Sequence, residues 1–476
     1  MSQSPKSLKN YDTESTIAAI STPYGRGGVA LIRISGSSAV EIAEKMFVPR
    51  GKKTLGENTP RTAIYGDIYA VTADGGRYIC DDGIATLFAA PSSYTGEDTV
   101  EITCHGGILL SQTVLSSIFI CGARPAEAGE FTKRAYLNGR LGLTRAEAII
   151  DLIDAESPEK LRLSASQSRG VLGGELERLY IMMRELVSSV YVYIDFPDED
   201  LSDIPSAEFR RRLDAMLQSV NRLCATYRTG RAVSEGICTC IAGKPNVGKS
   251  SLLNALSGAR RAIVTDIAGT TRDIIEETVN IGRVLLRLSD TAGMRDTKDE
   301  IERIGVKYAV ERMSEAELIL AVFDGGSALD DEDDAFIDKL NSCAGSVIAV
   351  INKSDLKQKL ERGELVKKLP EAKLIELSAS GGEGIDALRD LINEMFTDGA
   401  INYDTDAVIT NSRQYSELYE VKCALERACA TLDNGLTQDI AGLDLEYAMG
   451  RLAEIDGRSV TSDIVDSIFH RFCVGK

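Results

Sequence analysis

Histidine is nearly absent: the chain has two, His105 and His470, in 476 residues. That excludes a histidine-rich metal centre and argues against a Ser-His-Asp hydrolase. Cysteine is sparse for the length, at ten, with no C-x-x-C pair, so no disulfide scaffold is present and a thiol-rich cytosolic chain is expected. Cys238 and Cys240, two apart in an apolar run, read as one face of a strand. Basic residues are outnumbered, 54 Lys+Arg against 72 Asp+Glu, giving a net charge of −18 and excluding a generic basic coat for nucleic acid. No uncharged apolar run is long enough to span a bilayer. Met1–Ser15 lacks an apolar signal core, so the expected location is the cytoplasm.

With 43% apolar and 26% charged residues, the chain can bury a core and remain dissolved. Its length suits about three domains. Residues 1–138 read as α+β, with β-rich runs at Val29–Ile34, Ala63–Tyr69 and Thr99–Thr103 and a helix at Ala39–Met46. Gly25–Gly28 reads as a tight turn before a strand rather than a phosphate cradle, since a short glycine cluster alone is weak evidence. Residues 139–235 turn helical: Thr144 with Glu147 suggests a capping box, and Leu176, Leu179, Met183, Leu186 and Val190 share a helix face. Residues 399–476 resume that habit with Leu445, Ala448 and Leu452, then Val465, Ile468 and Phe469. The two stretches are expected to pack as one helical domain, split by residues 236–398. That middle stretch alternates helices with apolar strands at 236–242, 284–288, 318–323, 347–351 and 374–377, as a parallel sheet covered on both faces requires. The fold expected is multidomain: an α+β N-terminal domain, an α-helical domain and an inserted α/β P-loop domain.

Gly243-Lys-Pro-Asn-Val-Gly-Lys-Ser250 is a complete G-x-x-x-x-G-K-S loop between strand and helix. Asn246, Val247 and Gly248 bring backbone N–H groups to phosphate oxygens, Lys249 supplies a point charge, Ser250 can ligate Mg²⁺, and Ser251 continues the helix start. Asp290, Thr291, Ala292 and Gly293 follow the next strand: Asp290 can hold Mg²⁺ through water, and Gly293 can offer an N–H to the γ-phosphate. Asn352-Lys353-Ser354-Asp355 reads the base. Asp355 accepts from guanine N1–H and the exocyclic amine, Asn352 meets the other edge, and the Lys353 stem covers the ring. The wrong base would leave a buried carboxylate unpaired. Ser378 and Ala379 complete the pocket, and the nucleotide is GTP. Between these motifs, Thr265 to Asp273 offers a threonine to close on Mg²⁺, Thr271 first and Thr270 next. After Gly293 comes Met294, a thioether that cannot orient water. Another group must place the water and neutralise charge, with Arg272, Arg295 and the run Asp299–Glu302 as candidates.

Taken together, Pro23–Val29, Ile194–Glu199, Thr265–Asp273 and the terminal Cys473-Val-Gly-Lys476 make the chain resemble the tRNA-modification GTPase family called TrmE or MnmE, over nearly its whole length. The resemblance implies a folate-binding, dimerising N-terminal domain and a FAD-dependent partner forming a heterotetramer. The complex would install an aminomethyl or carboxymethylaminomethyl group on the wobble uridine of tRNA. It also implies that K⁺ replaces an arginine finger as GTPase domains pair, ligated by Asn246 and by carbonyls of Thr265, Ile267 and Thr270. Glu302 would orient the attacking water through a second water. For a 5-formyl- or methylene-tetrahydrofolate it implies Arg33, Glu101 and Lys476, with Arg140 standing where a lysine is expected. Cys473 becomes a functional thiol near the one-carbon donor.

Blander readings suit two acidic runs, of which Asp198-Glu-Asp200 ends a helix-rich segment. Asp330–Asp334 lacks the spacing of a calcium loop and reads as a solvated segment opening a helix. Phe209-Arg-Arg-Arg212 is the clearest basic cluster of the helical domain and a candidate for phosphate contact. At a net charge of −18, tRNA is held by local patches or chiefly by the partner protein. The competing function is a regulatory ribosome-assembly GTPase without modification chemistry, which would more naturally carry a basic RNA-binding domain.

Overall fold

The structure is a computed structural model that describes residues 14–195, 205–258, 277–288 and 312–476. These form two compact units: Met1–Ile150 with Gln167–Leu217 and Glu420–Lys476, and Asp151–Ser166 with Gln218–Tyr419. The strands of the first unit are β1 (Ile17–Ile20), β2 (Val29–Ser35), β3 (Phe47–Pro49), β4 (Ala63–Val71), β5 (Arg77–Phe88), β6 (Thr99–His105) and β7 (Arg124–Pro125). Those of the second are β8 (Ile237–Ala242), β9 (Glu277–Ile281), β10 (Val284–Leu288), β11 (Leu318–Asp324), β12 (Ser346–Asn352) and β13 (Lys373–Glu376). The early helices are α1 (Ala39–Met46), α2 (Ile108–Ile120), α3 (Glu130–Leu137), α4 (Leu143–Ile153), α5 (Pro158–Ser168), α6 (Val171–Asp195) and α7 (Ser206–Ser234). They are followed by α8 (Lys249–Ser257), α9 (Asp331–Asn341), α10 (Arg362–Lys368), α11 (Ile385–Phe396), α12 (Ser412–Asp433), α13 (Gln438–Asp456) and α14 (Ser462–Phe469). Among the described residues, no helix is long and apolar enough to cross a membrane.

In the first unit the sheet runs β3-β4-β5-β6-β2-β1-β7, antiparallel except where β1 meets β7. Alternation decides its faces. Ala30, Ile32 and Ile34 of β2 and Val100 and Ile102 of β6 are buried with Ile42 of α1 and Val114 and Ile118 of α2. Arg33 and Glu101, one residue out of step, point to the other face and oppose each other in register. Arg134 of α3 is 1% exposed, yet paired: it reaches Glu97 at 3.1 Å and Glu130 at 2.9 Å. Burial pushes the Glu130 carboxyl up, but hydrogen bonds from Arg124, the Glu127 N–H and Arg134 outweigh it and hold the group below its ordinary range.

Helices from both sides of the middle stretch pack within this unit. Gly442 of α13 lies where an added Cβ would sit 3.5 Å from Val190 of α6, and Arg210 of α7 donates to the Cys429 carbonyl of α12 at 3.2 Å. One expectation fails here. Thr144 is not a cap: α4 begins at Leu143, and the Thr144 hydroxyl bonds Asp456 at 3.1 Å. The basic cluster carries ion pairs but stays at the surface, with the Arg211 side chain 76% exposed. Arg210 pairs with Asp214 and Asp433, while Arg211 and Arg212 share Glu208 and hold its carboxyl down to about 2.

The second sheet runs β13-β12-β11-β8-β10-β9, parallel except for β9, which forms a hairpin with β10. Strand β11 shows why its sequence is continuously apolar. Leu318, Leu320 and Val322 pack towards α8 and α11, while Ile319, Ala321 and Phe323 pack towards α9 and α10.

Candidate functional site

The parallel strands of the second unit deliver their carboxyl ends to one edge. Ala242 of β8 stands beside Ala321 of β11, and Asp324 beside Asn352 of β12. Ligands bind at such edges in open α/β sheets. The loop from Gly243 leads into α8, whose first turn carries Lys249, Ser250 and Ser251, both serines exposed. Lys249 Nζ donates to the carbonyls of Gly243 at 2.9 Å and Lys244 at 2.6 Å. Burial pushes this ammonium below its ordinary pKa, and among the described residues its hydrogen bonds go to carbonyls and to no carboxylate. A phosphate at the helix N-terminus would supply a counter-charge there.

The Asn352 side chain does a different job from the one expected. It is 3% exposed, its Nδ2 donates to the Val247 carbonyl at 2.8 Å, and its Oδ1 accepts from the Ala379 N–H at 2.9 Å. Both ends of the amide are thus spent bracing the phosphate loop to the Ser378–Ala379 turn rather than meeting a base. Gly248 is the corollary: at φ +100°, its added Cβ would lie 2.1 Å from Asn352 Nδ2.

Asp355, the residue expected to read the base, is exposed and oriented by a 2.6 Å hydrogen bond from Ser378 Oγ. Lys353, at φ +63°, is fixed by a 2.7 Å ion pair with Asp324. Burial pushes the Asp324 carboxyl up, but Lys353 and the Gly326 N–H bring it below its usual range. No motif marks Asp324, although it is the first polar residue after an apolar run and closes β11 at the end where ligands bind. Asn246, at φ +63°, is exposed, and its side chain has no hydrogen-bond partner among the described residues. Thr265, Ile267, Thr270, Thr271, Asp290, Thr291, Ala292, Gly293 and Glu302 lie outside the described residues, as do Arg272, Met294, Arg295 and Phe196–Asp200.

A second constellation sits in the first unit. Arg33 Nε donates to Glu101 at 2.9 Å, and its guanidinium lies 5.4 Å from the Tyr94 ring centroid and 5.5 Å from that of Phe131. Arg140 is exposed and flanks the same loop: a Cβ on Gly96 would sit 3.3 Å from its Cγ. The C-terminal tail backs onto β1, next to β2. Gly475, at φ +101°, accepts from Ser21 Oγ at 3.0 Å, and an added Cβ would lie 2.3 Å from the Ile20 carbonyl. Only glycine fits, which anchors Lys476 at the end of β1 and leaves Cys473 exposed. Among the described residues no hydrogen bond joins His470 to Cys473. Tyr94 and Phe131 went unnoticed because nothing local marks a ring that packs under a distant arginine.

Residues 143–473 match the family model described as MnmE helical domain, and residues 16–140 match that of the GTP-binding protein TrmE N-terminus. The tRNA modification GTPase MnmE of Clostridioides difficile (strain 630) is 40% identical over 463 residues, covering 97% of this chain and 99% of that protein. The protein of the same description from Natranaerobius thermophilus is 39% identical over 464 residues, covering 98% and 100%. Among solved structures, Aquifex aeolicus Era bound to GDP.AlF4- aligns at 29% identity over 40% of this chain and 66% of that one, with a TM-score of 0.27.

Proposed function

The chain belongs to the family of the tRNA modification GTPase MnmE, and from that premise we propose that its GTP hydrolysis drives aminomethyl or carboxymethylaminomethyl addition to the tRNA wobble uridine. The observation carrying this reading is the extent of the match, which continues through the N-terminal 16–140 segment and the helical 143–473 segment. The one-carbon unit comes from a tetrahydrofolate, and a FAD-dependent partner protein joins a homodimer of this chain in a heterotetramer in the cytoplasm.

The residues present suit these groups. Glu101 offers carboxylate oxygens to pteridine N–H donors beside the Tyr94 and Phe131 rings, and Arg33, Arg140 and Lys476 suit the anionic parts of a folate. Ser250 and Thr271 would hold Mg²⁺, which neutralises charge on the β- and γ-phosphates. The Asn246 amide, without a hydrogen-bond partner among the described residues, suits a monovalent cation, completed by Thr265, Ile267 and Thr270, and Glu302 would orient water. Reconstitution tests the reading: purified chain, flavoprotein, tRNA, GTP, folate and K⁺ are combined, and each is omitted in turn. The modified uridine is expected only in the complete mixture; product formed without GTP or without this chain would overturn it.

A further inference from the structure

The phosphate-loop motif leaves its second position open, yet Lys244 is among the most constrained side chains of the loop. Its Nζ reaches helix α9, donating to Asp330 Oδ1 at 2.5 Å and Asp333 Oδ2 at 2.8 Å. The two carboxylates are set before the lysine arrives. Asp330 is the N-cap of α9 and accepts from the N–H groups of Glu332 and Asp333, both at 3.0 Å. Asp333 closes the capping box by accepting from the Asp330 N–H at 3.1 Å, and it is only 7% exposed. Such a box holds its side chains in one geometry. The lysine therefore docks on two acceptors already held by backbone N–H groups, Asp333 buried and Asp330 exposed.

The other side of Lys244 faces the chemistry. Its carbonyl is the shorter of the two acceptors that hold the Lys249 ammonium, at 2.6 Å against 2.9 Å for Gly243. A chain of contacts thus runs from α9 through the Lys244 side chain and carbonyl to the charge that meets the nucleotide phosphates. At the far end of the loop Asn352 braces Val247 at 2.8 Å, so the loop is anchored at both ends.

We propose that Lys244 is a positioning residue for GTP: its clamp on Asp330 and Asp333 fixes the carbonyls that aim Lys249 at the phosphates. The acidic run opening α9 thereby gains a role beyond capping. Because Lys249 contacts phosphate in ground and transition states alike, loosening its seat weakens binding rather than the chemical step.

The test uses the full chain in KCl and MgCl₂, measuring steady-state KM and kcat for GTP and the melting temperature of the nucleotide-free protein. Lys244→Met is expected to raise KM about threefold to fivefold, the scale of a partly exposed ion pair, with kcat changed less than about twofold. Lys244→Arg is expected to restore KM. Asp330→Asn keeps a capping side chain but removes one of the two charges, so it is expected to raise KM less than Lys244→Met, and the two substitutions together are expected to cost less than the sum of their separate effects. An unchanged KM in Lys244→Met would overturn the proposal. So would additive effects of the two substitutions, or a KM rise that tracks a lower melting temperature and is not rescued by arginine.

Discussion

Replacing Asn352 with alanine separates two roles that a base-binding motif normally conflates. The side chain makes two hydrogen bonds in a site where Val247 is 4% and Ala379 7% exposed. Truncation leaves a buried carbonyl and a buried N–H without partners, at about 1–3 kcal/mol each, or about 2–6 kcal/mol together. The loss falls on the loop and the Ser378–Ala379 turn, whichever base is bound. Hydrogen exchange across β8, β11 and β12 in urea should report the lower stability. Affinities for GDP and for inosine diphosphate, which lacks the exocyclic amine, should fall by a common factor, so that their ratio stays constant. Asp355→Asn should do the reverse: the fold stays intact and the GDP preference collapses, because Ser378 still orients a side chain that no longer presents a carboxylate. Unchanged stability in Asn352→Ala together with a collapsed GDP preference would refute the bracing role.

Three further outcomes are expected. Gly475→Ala forces a Cβ to 2.3 Å from the Ile20 carbonyl at φ +101°, a strain of about 1–3 kcal/mol, so carboxypeptidase should release Lys476 faster than from the wild-type chain. His105 is held above its ordinary pKa by the hydrogen bond to Asp81. Its contribution to stability is therefore complete below the ordinary histidine pKa and is lost as pH rises through the folded value; ring NMR of the two histidines should show this, with Asp81→Asn returning His105 to the ordinary range. GTP turnover in KCl should exceed that in NaCl by at least about tenfold, and Asn246→Ala should abolish the difference.

How much was legible depended on whether the partner of a residue lies nearby in the chain. The central strands β8, β11 and β12 announce themselves, because both of their faces are covered and nearly every position is apolar. Strand β5 does not: one face is open, and it carries Asp81, Asp82 and Gly83 in mid-strand. Strand β9 was missed because it is a short edge strand, although Gly282 at φ +61° marks the hairpin to β10. Helix α2 is apolar on nearly every side, so no helical period stands out. The Thr144–Glu147 pattern suggested a cap because Asp456, the actual partner of Thr144, lies hundreds of residues away. The same limit hid the Asn352 brace and the Lys244 clamp. Motif spacing marks the phosphate loop and Asp355, but not which side chains hold them in place.

The central claim is that GTP turnover by this chain serves tRNA modification, and nucleoside mass analysis of bulk tRNA tests it most directly. In cells lacking the protein, the modified wobble uridine should disappear. It should return with the wild-type chain and not with Lys249→Ala. An unchanged nucleoside profile in the deletion strain would contradict the account and leave a GTPase switch without modification chemistry.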